Sequence, residues 1–171
     1  MKTCASIVVR HQRPDDSSVV RAINEAAFER SDEAGLVEHL HNDAATLISL
    51  VAEWETQIVG HILFSRMWID EDRVSTCAVA LAPVAVLPNH QRRGVGEQLI
   101  RSGLDCLRAR QEQVVLVLGH PHYYERFGFS SDKALALASP FPPEAFMALE
   151  LVPNALNGLQ GKVRYHAAFG L

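Results

Sequence analysis

Residues 76–111 read TCAVALAPVAVLPNHQRRGVGEQLIRSGLDCLRARQ, and the order of strand, turn and helix in this stretch decides the fold. Residues 76–87 are a long, nearly continuous apolar run of β character, as in a central strand covered on both faces. Pro88 to Gly96 breaks the run. Beyond it, Val95, Leu99, Ile100, Gly103, Leu104 and Leu107 recur at intervals of three and four. That spacing predicts a helix to about residue 111. Residues 114–118, VVLVL, predict a second buried strand, ending at Gly119.

Outward from this core the elements keep alternating, which favours a mixed α/β domain. Toward the N-terminus, residues 6–10 (SIVVR) form a short β-rich run. Pro14, Asp15, Asp16 and Ser17 carry helix-start chemistry, and Val19, Ile23, Ala26 and Ala27 follow at helical spacing, predicting a helix over 15–30. A shorter helix is predicted over 32–41, with Leu36, Val37 and Leu40 on one face. Residues 46–54 and 57–68 read as strands around a tight turn at Glu55–Thr56 that holds no Gly or Asn. Toward the C-terminus, Pro121 sits at a first helical position and opens a short helix that Gly128 stops. Residues 146–151 and 162–166 are two further strand candidates.

The chain has 171 residues, which suits one domain spanning 1–171. At that size a core can bury roughly 70% of the unfolded chain's surface. Sixteen Lys and Arg against twenty Asp and Glu give a net charge of −4, a poor balance for nucleic-acid binding, which needs an excess of cations against phosphate. The same balance mildly favours a cationic partner. Cys4, Cys77 and Cys106 are odd in number and lack metal-ligand spacing, so they read as reduced thiols. Residues 7–9 are too short an apolar stretch for a signal peptide, and no run approaches the ~20 residues that cross a bilayer. The expectation is a soluble, cytoplasmic protein. His39/His41 and His120/His122 are paired two apart, a spacing that does not share a helix face, so no metal is expected. Cys77, in a buried strand, and Cys106, in a helix, read as apolar packing.

The chemistry concentrates at Gln91-Arg92-Arg93-Gly94-Val95-Gly96. A helix start exposes unpaired N–H groups and a partial positive charge, and glycines let a ligand approach the backbone. Together they make a pyrophosphate cradle, although the same residues alone also describe a surface turn with two solvated arginines. Two nucleotide loops are excluded. Leu99 stands where the dinucleotide fingerprint needs a third Gly or Ala, and Glu97 and Gln98 follow Gly96 where a P-loop needs Lys and Ser or Thr.

An apolar strand ending in Val-x-Pro, followed by Gln/Arg-x-x-Gly-x-Gly at a helix start, resembles the acyl-CoA signature of the GNAT superfamily of N-acetyltransferases. His122-Tyr123-Tyr124-Glu125-Arg126-Phe127-Gly128-Phe129 is similar to that family's second hallmark, a Tyr four residues before Gly-Phe. The Gly119–Phe129 block, the Phe146–Leu151 strand and the closing Gly161–Tyr165 resemble one bacterial branch, the YhbS-like predicted acetyltransferases. The resemblance covers almost the whole chain. It implies a central, mixed, splayed sheet flanked by helices on both faces, with acetyl-CoA between the parted ends of two parallel strands. By this resemblance Val84, Ala85 and Val86 give backbone groups to the pantetheine arm. Arg92, Arg93, Gly94, Val95, Gly96 and Glu97, helped by Gln91, hold the pyrophosphate, with the Glu97 side chain turned into solvent. Tyr124 matches the general acid near the CoA sulfur, while Tyr123 points elsewhere.

The base is less well marked. Glu33 lies where an acceptor loop is expected, but is equally a helix-start carboxylate favoured by the dipole. His61 in mid-strand and His120 at a strand end have the proton affinity of a relay. A structural, hydrogen-bonded role is the plainer reading of both, with His120 the better placed to line the site. The implied activity is acetyl transfer from acetyl-CoA to a primary amine by direct attack in a ternary complex. The alternative is an acyl-CoA sensor without turnover. The acceptor and the acyl length are not written in the sequence, and homodimers are common in the family.

Overall fold

The computed structural model describes residues 6–171, so Cys4 lies outside the described residues. The strands are β1 (Ile7–His11), β2 (Thr46–Trp54), β3 (Gln57–Glu71), β4 (Val74–Val86), β5 (Val114–Leu118), β6 (Leu137–Ala138), β7 (Phe146–Glu150) and β8 (Gly161–Arg164). The helices are α1 (Ser17–Phe28), α2 (Asp32–Asn42), α3 (Val95–Ala109) and the single turn α4 (Pro121–Tyr124). The sheet order is β1-β2-β3-β4-β5-β7, with β8 paired to β3 and β6 to β8. The β4–β5 ladder is parallel; β1–β2, β3–β8 and β5–β7 are antiparallel. This is the mixed α/β architecture expected, with an open, splayed sheet.

The chain gathers into two compact units. One takes in the chain to Phe64 together with Pro83–Gly103; the other holds Ser65–Ala82 and Leu104–Leu171. Strands β3 and β4 contribute to both.

In the first unit, Arg10 on β1 ties the start of α1 to the sheet. Its guanidinium donates to Asp16 at 2.7 and 3.1 Å and to Glu53 on β2 at 2.7 Å. The Arg10 guanidinium holds the Asp16 carboxyl below its usual range. The buried face of α1 differs from the expected one. Val19 is 40% exposed and Ala26 is exposed, while Val20, Ile23 and Asn24 are buried. Ile23 stays on the buried face as expected, while Val20 and the polar Asn24 take the places of Val19 and Ala26. Asn24 Nδ2 lies 3.2 Å from His61 Nδ1 inside the core. The sign of the next residue on β3 shows how the sheet is covered: Gly60 faces α3 and His61 faces α1, so this unit has helices on both faces. At the β2–β3 turn Glu55 takes the left-handed conformation, φ 58°, without a glycine.

In the second unit the β4–β5 ladder holds only Val79–Leu81 against Val115–Val117. Strand β4 runs on to Val86 without a β5 partner, which is the splay. Its other end also outruns the ladder, and there Cys77 is exposed. The expectation of a strand covered along its whole length is corrected on this point: Val74, Ser75 and Cys77 are exposed, and burial starts at Ala78. A core of Met67, Ala80, Leu116, Phe146, Ala148 and Val163 fills one face. Strand β6 is too short to leave a periodic signal and was not expected. No helix among the described residues is long and apolar enough to cross a membrane.

Candidate active site

In the first unit, the turn between β4 and α3 has the main-chain form of an anion cradle. Leu87 N–H donates to Val59 O at 2.9 Å, fastening the end of β4 to β3. Ala85 is buried, and Val84 and Val86 are half-buried. Gln91 folds back so that its Nε2 donates to Val86 O at 3.1 Å, fixing the chain as it leaves the strand. Arg92 (φ 58°) and Gly94 (φ 86°) then both turn left-handed, which curls the backbone so that successive N–H groups converge. The first α3 bond runs from Gln98 N–H to Gly94 O, 3.0 Å. The N–H groups of Val95, Gly96 and Glu97 therefore precede the helical ladder and point out of the helix start. A Cβ on Gly94 would meet nothing within 4 Å, so the space in front of the loop is open and the glycine answers to its φ. Glu97 pairs with Arg101 at 3.0 Å, which turns its carboxylate back along the helix. The Arg93 guanidinium lies 5.6 Å from the Trp54 ring centroid, and His90 meets the same ring edge-on at 5.7 Å.

The helix start is seated by Gly60, whose role the sequence did not announce. A Cβ there would lie 2.9 Å from Val95 Cγ1, 3.0 Å from Leu99 Cδ1 and 3.3 Å from Ala85 O. Only a residue without a side chain lets the first turn of α3 rest on β3 at this distance.

The second unit holds Tyr124, on the last residue of α4. Its half-buried ring turns an edge toward Gly119 at the end of β5: a Cβ on Gly119 would come within 2.3 Å of Tyr124 Cε2. Tyr123 and Phe129 bracket the ring at 5.1 and 5.8 Å in edge-to-face contact. Burial pushes the Tyr124 hydroxyl well above the usual tyrosine range, so it keeps its proton at neutral pH. Tyr123 is engaged elsewhere, with the Arg126 guanidinium 4.7 Å from its ring centroid. His120 is exposed and precedes α4.

The other candidates separate clearly. Glu33 stands in the first turn of α2, its carboxylate paired with Arg30 Nε at 3.2 and 3.1 Å. His61 is fully buried, held between Asn24 and Ser49, with Nε2 2.9 Å from Ser49 Oγ. Burial pushes it down to about 3, so it is neutral at physiological pH and structural. Among the described residues no three His, Cys, Asp or Glu gather to hold a metal ion.

With this geometry in place, comparison with known proteins gives a single answer. The family model described as "Acetyltransferase (GNAT) domain" matches residues 8–131. The chain belongs to the GNAT acetyltransferase family. The uncharacterized N-acetyltransferase YjhQ of Escherichia coli strain K12 is 42% identical over 153 residues, 84% of each chain. The uncharacterized N-acetyltransferase YhbS of the same strain is 33% identical over 166 residues, 95% of this chain and 98% of its own. The crystal structure of E. coli YhbS in complex with CoA superposes with a TM-score of 0.91 at 32% identity, covering 100% of this chain and 96% of that one. A GNAT acetyltransferase from Brucella melitensis in complex with acetyl-CoA gives 0.81 at 35% identity, covering 96% and 99%. Residues 84–97, which hold the end of β4 and the start of α3, fall within the span that the family model matches.

Proposed function

We propose that the whole chain acts as one N-acetyltransferase domain that binds acetyl-CoA and moves its acetyl group to a primary amine by direct attack in a ternary complex. The observation that carries this reading is the main-chain cradle: left-handed Arg92 and Gly94, the N–H groups of Val95 and Gly96 ahead of the first α3 bond, and open space at Gly94. A diphosphate suits that arrangement, because several N–H groups and the helix dipole meet two negative charges at once. Arg92 and Arg93 add charge at the rim, and Gln91 braces the loop. The unpaired run of β4 at Val84, Ala85 and Val86 offers backbone groups to the amide-rich pantetheine arm, as a neighbouring strand would.

Acetyl-CoA supplies the activated acyl group as a thioester. Transfer forms a carbon–nitrogen bond, breaks the carbon–sulfur bond, takes one proton from the amine and gives one to the departing sulfur. A backbone N–H near Val84 donates to the carbonyl oxygen as negative charge gathers there. Tyr124 supplies the proton to sulfur; its raised proton affinity keeps that proton in place until charge develops. An alkylamine with an ordinary pKa near ~10.4 must lose a proton before attack. Glu33 is the candidate acceptor for it, directly or through water, once its pairing with Arg30 opens; His120 lines the route. Neither role calls for a metal.

The test is thiol release from acetyl-CoA across a panel of primary amines, with Gly94→Val and Tyr124→Phe alongside the wild type. Amine-dependent release that falls in both variants supports the reading. Acetyl-CoA uptake without any amine-dependent release would leave a binding module and refute the transferase.

A further inference from the structure

Trp54, the last residue of β2, is engaged by the turn that precedes α3, although the reaction above gives it no task. The Arg93 guanidinium carbon lies 5.6 Å from the centroid of its ring, inside the ~6 Å over which an aromatic face attracts a cation. His90, earlier in the same turn, meets that ring edge-on at 5.7 Å. Trp54 is half-buried and Arg93 exposed. All three residues belong to the first unit.

The backbone of this turn is already fixed. Gln91 Nε2 donates to Val86 O at 3.1 Å, Arg92 and Gly94 are left-handed at φ 58° and 86°, and Gln98 N–H closes the first helical bond on Gly94 O. What remains loose is the Arg93 side chain, long and rich in rotamers, which loses that freedom when it grips an anion. An indole face removes part of the loss in advance. It attracts the charge of the guanidinium without accepting N–H···O bonds, so the donors of the fork stay available to an oxygen. Arg93 makes no ion pair among the described residues, whereas Arg101 has the Glu97 carboxylate at 3.0 Å. The Arg93 charge is thus held in place and left uncancelled, in the turn that carries the N–H groups of Val95 and Gly96.

We infer that Trp54 is a positioning residue: its ring holds the Arg93 guanidinium at the rim of the cradle before the coenzyme arrives, so that the diphosphate meets an ordered cation. The inference rests on the transferase reading and adds to it a residue from another strand, outside the loop that resembles the family signature.

The experiment is calorimetric titration of the full chain with CoA and with 3′-dephospho-CoA, which keeps the diphosphate. Arg93→Gln should weaken CoA binding at least about tenfold, the loss of a charge-assisted hydrogen bond. Trp54→Leu keeps the charge but frees it, and should weaken binding about three- to tenfold. Trp54→Phe retains an aromatic face and should stay within about twofold of the wild type. Trp54→Leu added to Arg93→Gln should cost less than about twofold more, since both act through one guanidinium; a merely structural Trp54 would give losses that add. The losses should be equal for the two coenzymes. Should Trp54→Leu fail to fold, Trp54→Met, which also lacks a ring, takes its place in the cycle. Wild-type affinity in Trp54→Leu or Arg93→Gln, additive losses, or a loss confined to CoA would overturn the inference while CoA uptake by the wild type upholds the transferase reading. No CoA uptake by the wild type would overturn both.

Discussion

Gly119→Ala probes the reaction without removing a single polar atom. The new methyl carbon would lie 2.3 Å from Tyr124 Cε2, 2.9 Å from Cδ2 and 3.4 Å from Cζ. Carbon atoms settle at about 3.5–4.0 Å, so the ring must retreat by roughly 1 Å. It cannot simply swing aside, because Tyr123 and Phe129 hold it edge-to-face at 5.1 and 5.8 Å. Gly119 is not among the residues with positive φ, so alanine adds no backbone strain and the collision is the whole effect. A misplacement of about 1 Å at a reacting group costs up to ~100-fold in rate, and overpacking costs about 1–3 kcal/mol of stability. The assay is thiol release with the best amine of the panel, beside acetyl-CoA affinity by calorimetry. The turnover number should fall about 10- to 100-fold while affinity changes less than about threefold. Adding Gly119→Ala to Tyr124→Phe should cost little more than Tyr124→Phe alone, since both act through one hydroxyl. A folded Gly119→Ala protein with wild-type turnover would refute the placement of Tyr124 in the chemistry.

Other expectations follow from single observations. Tyr124→Phe should lower turnover by about 100-fold or more, the usual contribution of a positioned acid, with acetyl-CoA affinity preserved. Gly94→Ala, forced to keep a left-handed φ of 86°, should strain the loop by about 1–2 kcal/mol, and calorimetry should show acetyl-CoA affinity about tenfold weaker. His61, held down to about 3 against an ordinary ~6.5, stays neutral in the native state while the unfolded chain takes up its proton. Its contribution is therefore present above about pH 6.5 and lost as pH falls toward 3, at about 1.4 kcal/mol per pH unit. Urea midpoints between pH 7 and pH 4 should fall more steeply for the wild type than for His61→Gln; equal slopes would show that His61 is not buried neutral.

The elements of the fold were legible because their signals are local. The runs at 46–54 and 114–118 and the α3 spacing were recovered as β2, β5 and a helix two residues shorter than expected. The proline at the start of α4 and the stop at Gly128 behaved as their chemistry dictates. What failed to show depends on partners distant in sequence. Asn24 belongs to the buried stripe of α1 only because His61 meets it from β3, so polarity hid the true face. Cys77 is exposed in the part of β4 that outruns its ladder with β5, and no property of the run itself says where a neighbour starts. At the candidate site the loop was readable from its glycines and its resemblance to a family. The contacts that seat it were not. Gly60 and Gly119 look alike in sequence to any strand glycine, and their meaning appears only when Val95 and Tyr124 arrive from elsewhere.

The most direct measurement is a backbone-amide NMR titration of the protein with CoA. Saturable binding with the largest shifts at the N–H groups of Gly94, Val95, Gly96 and Glu97 is the predicted result. Saturation with those amides unmoved, or no binding at all, would contradict the claim that main-chain hydrogens at the start of α3 hold the diphosphate.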